Sequence, residues 1–253
     1  MRTRCQIWEL VRPGLEQSFR TIAYSRRGHG ESTGAGSLDD DVRDLAALIE
    51  HVDAAPAHLA GNSLGATICL RLVASRPDLV ASVSAHEPPL FALLAGDPVW
   101  APGVEELQRR VGEVLELIER DRTPEAAERF IEDVADGPGA WDLLPPEERQ
   151  SLIRHAATFA EENADPGIYG IELASLTEVT TPVLLTGGAA SPPLFEPVLE
   201  RLAATLPRAE RHRFPVAGHV PQLTHPDEYV EVVTDFASRI AGHRAGAGSA
   251  AGG

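Results

Sequence analysis

One pentapeptide constrains this chain more than any other stretch: Gly61-Asn62-Ser63-Leu64-Gly65, set between an apolar run, His58-Leu59-Ala60, and a helical run, Ala66 to Ser75. A strand that reverses into a helix over so few residues strains its central residue, and glycines two before and two after remove side-chain clash. The turn lifts the Ser63 hydroxyl above the strand end and places the Leu64 N–H at the positive end of the helix. A nucleophile and an oxyanion donor are thus made by one turn. The plainer reading is a glycine-rich helix start in which Ser63 serves as the N-cap.

A serine hydroxyl attacks poorly until a base takes its proton. Of nine histidines, His219 in Val216-Ala217-Gly218-His219 follows the last predicted strand and precedes the last helix. A loop there carries it to the carboxyl edge of the sheet, where parallel sheets gather their ligands. His225 directly precedes Pro226 and reads as the start of the final helix; His29 lies in a glycine loop and reads as structural. His51, His58, His155, His212 and His243 read as surface or packing residues.

Short apolar runs alternate with helical periods along the chain, which predicts an α/β fold with a mostly parallel sheet. Strands are expected at Thr21–Tyr24, His58–Ala60, Leu79–Ala85, Thr181–Thr186 and Glu210–Phe214. Ser37 is expected to cap a helix whose first turn holds Asp39, Asp40 and Asp41, with Val42, Leu45, Ala46 and Ile49 as its buried stripe. Residues 88–179 hold no convincing strand. One amphipathic helix there carries Val104, Leu107, Val111, Val114, Leu115 and Ile118, and a second opens at Thr123-Pro124. A third follows Pro145-Pro146 with Leu152, Ile153, Ala156 and Phe159. The core is therefore assigned to 1–87 and 180–240, a helical cap to 88–179, and a disordered tail of small residues to 241–253. The alternative is that the inserted helices merely extend the core.

Charge and cysteine usage narrow the function classes. Thirty-eight acidic residues against twenty-two basic ones give a net charge of −16, the opposite of a nucleic-acid-binding footprint. Every basic residue other than histidine is arginine, which fits a GC-rich coding bias and excludes lysine Schiff-base chemistry. Cys5 and Cys69 provide no disulfide framework, and Cys69 reads as a small core residue on a helix. No apolar run approaches a membrane span, and Glu9, Arg12, Pro13 and Glu16 interrupt any signal-peptide core. A cytoplasmic protein acting on a small molecule, with no cofactor or metal called for, is the expectation.

At this point the chain resembles the α/β-hydrolase superfamily, from about Trp8 to Ile240. The resemblance rests on Tyr24-Ser25-Arg26-Arg27-Gly28-His29-Gly30-Glu31-Ser32, Gly61-Asn62-Ser63-Leu64-Gly65, Thr181-Pro182-Val183-Leu184-Leu185 and Gly218-His219, in that order. It implies Ser63 as nucleophile, His219 as general base and the inserted helices as a cap over the pocket. A serine at the elbow points to esterases, lactonases, cofactor-free perhydrolases and C–C bond hydrolases.

Three departures accompany the resemblance. The family's acid belongs in the run Gly187-Gly188-Ala189-Ala190-Ser191-Pro192-Pro193, where Ala189 or Ala190 occupies its position. The first strands, with the His-Gly loop that supplies a second oxyanion donor, would precede Trp8. An N-terminally truncated sheet with an exposed edge, prone to self-association, is expected. Ser25 stands where many relatives carry Asp, which is expected to loosen the glycine loop. Glu87, in His86-Glu87-Pro88-Pro89, lies just past the strand that neighbours the nucleophile strand, where some members of the fold place their acid. It reads either as the replacement acid or as a structural residue at the mouth of the cap.

Three functions follow from this reading. The first is a serine hydrolase of a small ester, lactone or thioester. The second is a non-catalytic member that binds a ligand or partner, and the third a lyase-like member using His219 for proton transfer without an acyl-enzyme.

Overall fold

The computed structural model describes residues 7–250. Four strands, β1 (Ala57–Asn62), β2 (Val80–His86), β3 (Val183–Gly188) and β4 (Ala209–Phe214), form a fully parallel sheet in the order β1-β2-β3-β4. The two inner strands are built from small and aliphatic residues and are buried along nearly their whole length. Strands covered on both faces require that composition. β1 and β4 are the edges, and the outer edge of β1 carries no ladder partner among the described residues.

Two helices bracket β1. Helix α1 (Leu38–His51) starts with a reciprocal cap, the Ser37 hydroxyl accepting from the Asp40 N–H while Asp40 accepts from the Ser37 N–H. Leu45 and Ile49 are buried, with Val42 and Ala46 packed beside them, as the periodicity predicts. Helix α2 (Leu64–Ser75) carries the chain from β1 to β2 and buries Ile68, Leu70, Leu72 and Val73. Each such side chain contributes about 1.5–3 kcal/mol relative to exposure. Cys69 is buried on the same helix and free, as expected, while Cys5 lies outside the described residues.

Between β2 and β3 come helices α3 (Ala101–Glu119), α4 (Thr123–Arg129), α5 (Pro146–Arg154) and α6 (Ala156–Asn163), with a π-helical turn at Phe130–Ala135. No strand occurs from 88 to 179 among the described residues. The single helix expected after Pro145-Pro146 is two, divided at His155, whose Nδ1 lies 2.7 Å from the Ser151 carbonyl. Helix α7 (Phe195–Thr205) links β3 to β4, and α8 (Pro226–Ala250) closes the chain. Tyr229, Val233 and Phe236 are buried along α8.

Two further expectations are corrected. Thr21-Ile22-Ala23-Tyr24 is not a strand; among the described residues this stretch ladders with no neighbour, and backbone pairing is what makes a strand. The last helix does not stop at Ile240 but runs through Ala250; four alanines, the strongest helix formers, carry it past the three glycines of residues 241–250. Residues 251–253 of the expected tail lie outside the described residues.

Part-buried polar ties join the inserted segment to the rest. The Arg26 guanidinium donates to Asp41 on α1 at 2.6 Å and to Glu162 on α6 at 2.5 Å. Arg71 on α2 donates to the Gly167 and Gly170 carbonyls at 2.7 and 2.8 Å. In the glycine loop the Ser25 carbonyl accepts from the Ser32 hydroxyl at 2.8 Å. His29 is buried there with Nδ1 2.9 Å from the Arg27 carbonyl, a structural role as predicted.

Candidate active site

Parallel register lines up the carboxyl ends of three strands. Asn62 pairs with His86, and His86 with Thr186. The next residues, Ser63 and Glu87, therefore leave the sheet side by side, tied back by Ser63 N–H to the His86 carbonyl at 2.9 Å and Glu87 N–H to the Thr186 carbonyl at 3.1 Å. Both turn sharply enough to hold positive φ, 53° at Ser63 and 44° at Glu87. Such backbone costs about 1–3 kcal/mol for a residue with a side chain and persists where neighbours enforce it.

The glycines of the elbow contribute unequally. A Cβ on Gly61 would sit 2.5 Å from the carbonyl of Gly65 and 2.6 Å from the Ala66 nitrogen, backbone that cannot yield. A Cβ on Gly65 meets nothing within 4 Å, so only the first glycine is required by space. The Ser63 side chain makes no capping bond to α2; its carbonyl accepts from Ala66 N–H at 2.9 Å instead. The N-cap reading of the hydroxyl thus fails. The Leu64 N–H, first in the helix, has no hydrogen-bond partner among the described residues.

His219 reaches this edge from the loop after β4. Its backbone carbonyl accepts from the Asn62 amide at 2.8 Å, which pins the loop beside the elbow. Its ring stacks on Phe195 with centroids 4.7 Å apart and planes 16° apart. Its Nδ1 lies 2.7 Å from Glu87 Oε2. Among the described residues no hydrogen bond joins the Ser63 hydroxyl to His219.

Glu87 is 1% exposed and fully engaged. Oε1 accepts from the Gly188 N–H at 2.7 Å, and Oε2 faces His219. Burial alone would favour its neutral form, but the hydrogen bond from His219 and the pull of the two neighbouring imidazoles win and hold the carboxyl well below the usual carboxylate range. Ala189 and Ala190 are exposed, and their N–H groups donate to the carbonyls of Phe214 and Ala217. The carboxylate that faces the imidazole comes from the residue after β2, and the last residue of β3, Gly188, supplies the N–H that holds its other oxygen. Gly188 must be glycine, because a Cβ there would lie 2.4 Å from the Ala217 carbonyl.

Sequence reasoning missed several neighbours. His86 is 1% exposed, with Nδ1 2.9 Å from Thr186 Oγ1. Asp136, at the end of the π-helical turn, has its carboxyl pushed up by burial, lowered by His219 and raised again by Glu87. A half-buried acid of the inserted helices therefore lies within electrostatic reach of the pair. His86, Glu87 and His219 also place ligand-type atoms within 4.8 Å of one another. That cluster could hold a metal only by displacing the proton between His219 and Glu87.

An α/β sheet with a strained serine elbow, and a histidine and carboxylate at the same strand ends, matches a model described as alpha/beta hydrolase family across residues 4–232. The chain belongs to the alpha/beta hydrolase family. It is 24% identical over 245 residues to the pimeloyl-[acyl-carrier protein] methyl ester esterase of Photobacterium profundum, covering 91% of this chain and 89% of that one. An 80-residue stretch is 41% identical to the dihydrolipoyllysine-residue acetyltransferase component of the acetoin cleaving system of Pseudomonas putida, 30% of this chain and 22% of that protein. The solved structure of a thermophilic esterase from Thermogutta terrifontis superposes with a TM-score of 0.69 over 93% of this chain and 85% of that one, at 22% identity. Family membership supports an enzyme of the hydrolase class. No helix among the described residues is long and apolar enough to cross a membrane.

Proposed function

We propose that this alpha/beta hydrolase is a serine hydrolase of a small ester, lactone or thioester, working through an acyl-enzyme on Ser63. The observation that carries the reading is the 2.7 Å contact between Glu87 Oε2 and His219 Nδ1, buried at the strand end beside the elbow. A carboxylate can only accept, so the His219 proton sits on Nδ1 and leaves Nε2 as a base. Ser63 Oγ attacks the substrate carbonyl as its proton passes to Nε2. The imidazolium formed is held by the Glu87 charge, and the tetrahedral oxyanion is received by the Leu64 N–H. His219 then returns the proton to the leaving oxygen or sulfur. Water, activated by the same Nε2, releases the acid in the second half. The inserted helices act as the cap over this site.

Glu87 thereby takes the place of the acid absent from Ala189 and Ala190. Relatives named as esterases agree with the reading. A binding-only reading of the same site has one observation in its favour, the lack of a hydrogen bond between Ser63 and His219. In the serine-hydrolase reading that contact tightens when substrate binds, as such bonds commonly do. Steady-state hydrolysis of matched short-chain esters, lactones and thioesters separates the two. Turnover abolished by Ser63→Ala supports the proposal, and a folded wild-type chain inert on all three classes defeats it.

A further inference from the structure

His86 poses a problem that the Ser63–His219–Glu87 arrangement does not solve. Its ring is 1% exposed, and Nε2 is buried without a hydrogen-bond partner. Buried polar atoms left unpaired cost stability, so each one needs an explanation. Nε2 lies 3.5 Å from Glu87 Oε2, the same oxygen that faces His219 Nδ1. The His86 and His219 rings approach with centroids 6.2 Å apart. One carboxylate oxygen is therefore flanked by two imidazoles.

Proton counting decides how His86 sits. Burial and the nearby His219 push its pKa down, against the opposing pull of Glu87 and the Gly218 backbone, so the ring is neutral with one donor and one acceptor. On the Nδ1 side, the Thr186 hydroxyl at 2.9 Å can donate or accept. On the Nε2 side, a carboxylate can only accept. The consistent assignment puts the proton on Nε2, facing Glu87, while Thr186 donates to Nδ1.

From this juxtaposition we propose that His86 is a positioning residue for the reaction, aiming its Nε2–H at Glu87 Oε2 and thereby controlling how that oxygen serves His219. At rest the contact is too long to count as a hydrogen bond. It lies beside the charge that must answer the His219 imidazolium during the reaction. A second donor there keeps Glu87 ionised and makes it a poorer base, so the shared proton stays on His219. The inference rests on the serine-hydrolase reading above.

The test uses the full chain with His86→Gln, His86→Asn and His86→Phe. The glutamine side-chain nitrogen mimics Nε2, whereas the asparagine nitrogen mimics Nδ1. Wild-type labelling of Ser63 by a fluorophosphonate comes first, because its failure would strike the serine-hydrolase reading rather than this one. On a short-chain p-nitrophenyl ester, His86→Gln should keep kcat near wild type. His86→Asn and His86→Phe should lose about 10- to 100-fold in kcat with KM unchanged, the weight of one hydrogen bond to a charged group. Activity retained by His86→Asn and lost by His86→Gln would assign the ring to Thr186 and overturn the proposal, as would equal activity in all three. A second measurement needs no variant to fold: nitrogen NMR of histidine-labelled wild-type protein should find the His86 proton on Nε2. A proton on Nδ1 would also overturn it.

Discussion

Replacing Glu87 by glutamine changes one charge and almost no volume, and the structure specifies what must follow. The two carboxylate oxygens have different neighbours, the Gly188 N–H at 2.7 Å from Oε1 and His219 Nδ1 at 2.7 Å from Oε2. A glutamine amide has one acceptor and one donor end. With its oxygen kept on Gly188, its NH2 meets His219 Nδ1 and drives the imidazole proton to Nε2, the face Ser63 needs as a base. With the amide turned over, two N–H groups collide at Gly188. Either arrangement also removes the charge opposite the imidazolium. Loss of correctly tautomerised acid–base help is worth about 10²–10⁴-fold in kcat, or about 3–5 kcal/mol of barrier. The assay is p-nitrophenol release from short-chain esters, with urea unfolding of the same preparation to show that the variant folds. A folded Glu87→Gln enzyme within about threefold of wild type would refute the reasoning. So would a gain in wild-type turnover on installing Ala189→Asp or Ala190→Asp, since the role is filled from β2.

Three further outcomes are expected. The Glu87 carboxyl is held below its ordinary value of 4.5, so its ionisation stabilises the fold above that pH and the contribution drains away as pH falls below it. Urea midpoints of wild type and Glu87→Gln should therefore converge between neutral pH and pH ~3, and a gap that widens on acidification would contradict this. Arg26 is 16% exposed and joins Asp41 and Glu162, which are 7% and 15% exposed; Arg26→Met strands both carboxylates and should cost about 3–5 kcal/mol in denaturant unfolding. Adding Glu162→Gln should recover part of that loss, and strict additivity of the two changes would dissolve the proposed tie. Burial pushes the Cys69 thiol up to about 12, so Ellman's reagent at mildly alkaline pH should leave Cys69 unmodified, by peptide mapping, until urea unfolds the chain; rapid reaction at that residue in native protein would show the burial to be wrong.

The parts of the site legible in the sequence are those made by local chain geometry. Ser63 is visible because the elbow needs glycine at 61, and His219 because a loop after the last strand returns to the same sheet edge. Glu87 could be named because β1 and β2 are neighbours joined by one helix, which places the residues after Asn62 and His86 side by side. Its partnership could not be decided, since it depends on Gly188 and His219 arriving from separate strands. Distant packing hides the rest. Phe195 meets His219 only after α7 folds beside β3, and nothing near Asp136 in the sequence announces that its carboxyl feels the charges of His219 and Glu87. Asp41 reads as a helix-start acid, yet it is buried against Arg26. Thr21–Tyr24 has strand composition without a ladder partner, and that lack shows only in three dimensions.

The central claim, that Ser63 is a nucleophile activated by His219 and Glu87, is tested most directly by intact-mass and peptide analysis after exposure to a fluorophosphonate. The account predicts one adduct per chain on the peptide containing Ser63, formed slowly in Glu87→Gln and absent in Ser63→Ala. A folded wild-type protein that takes no adduct, or takes it on a residue other than Ser63, would contradict it.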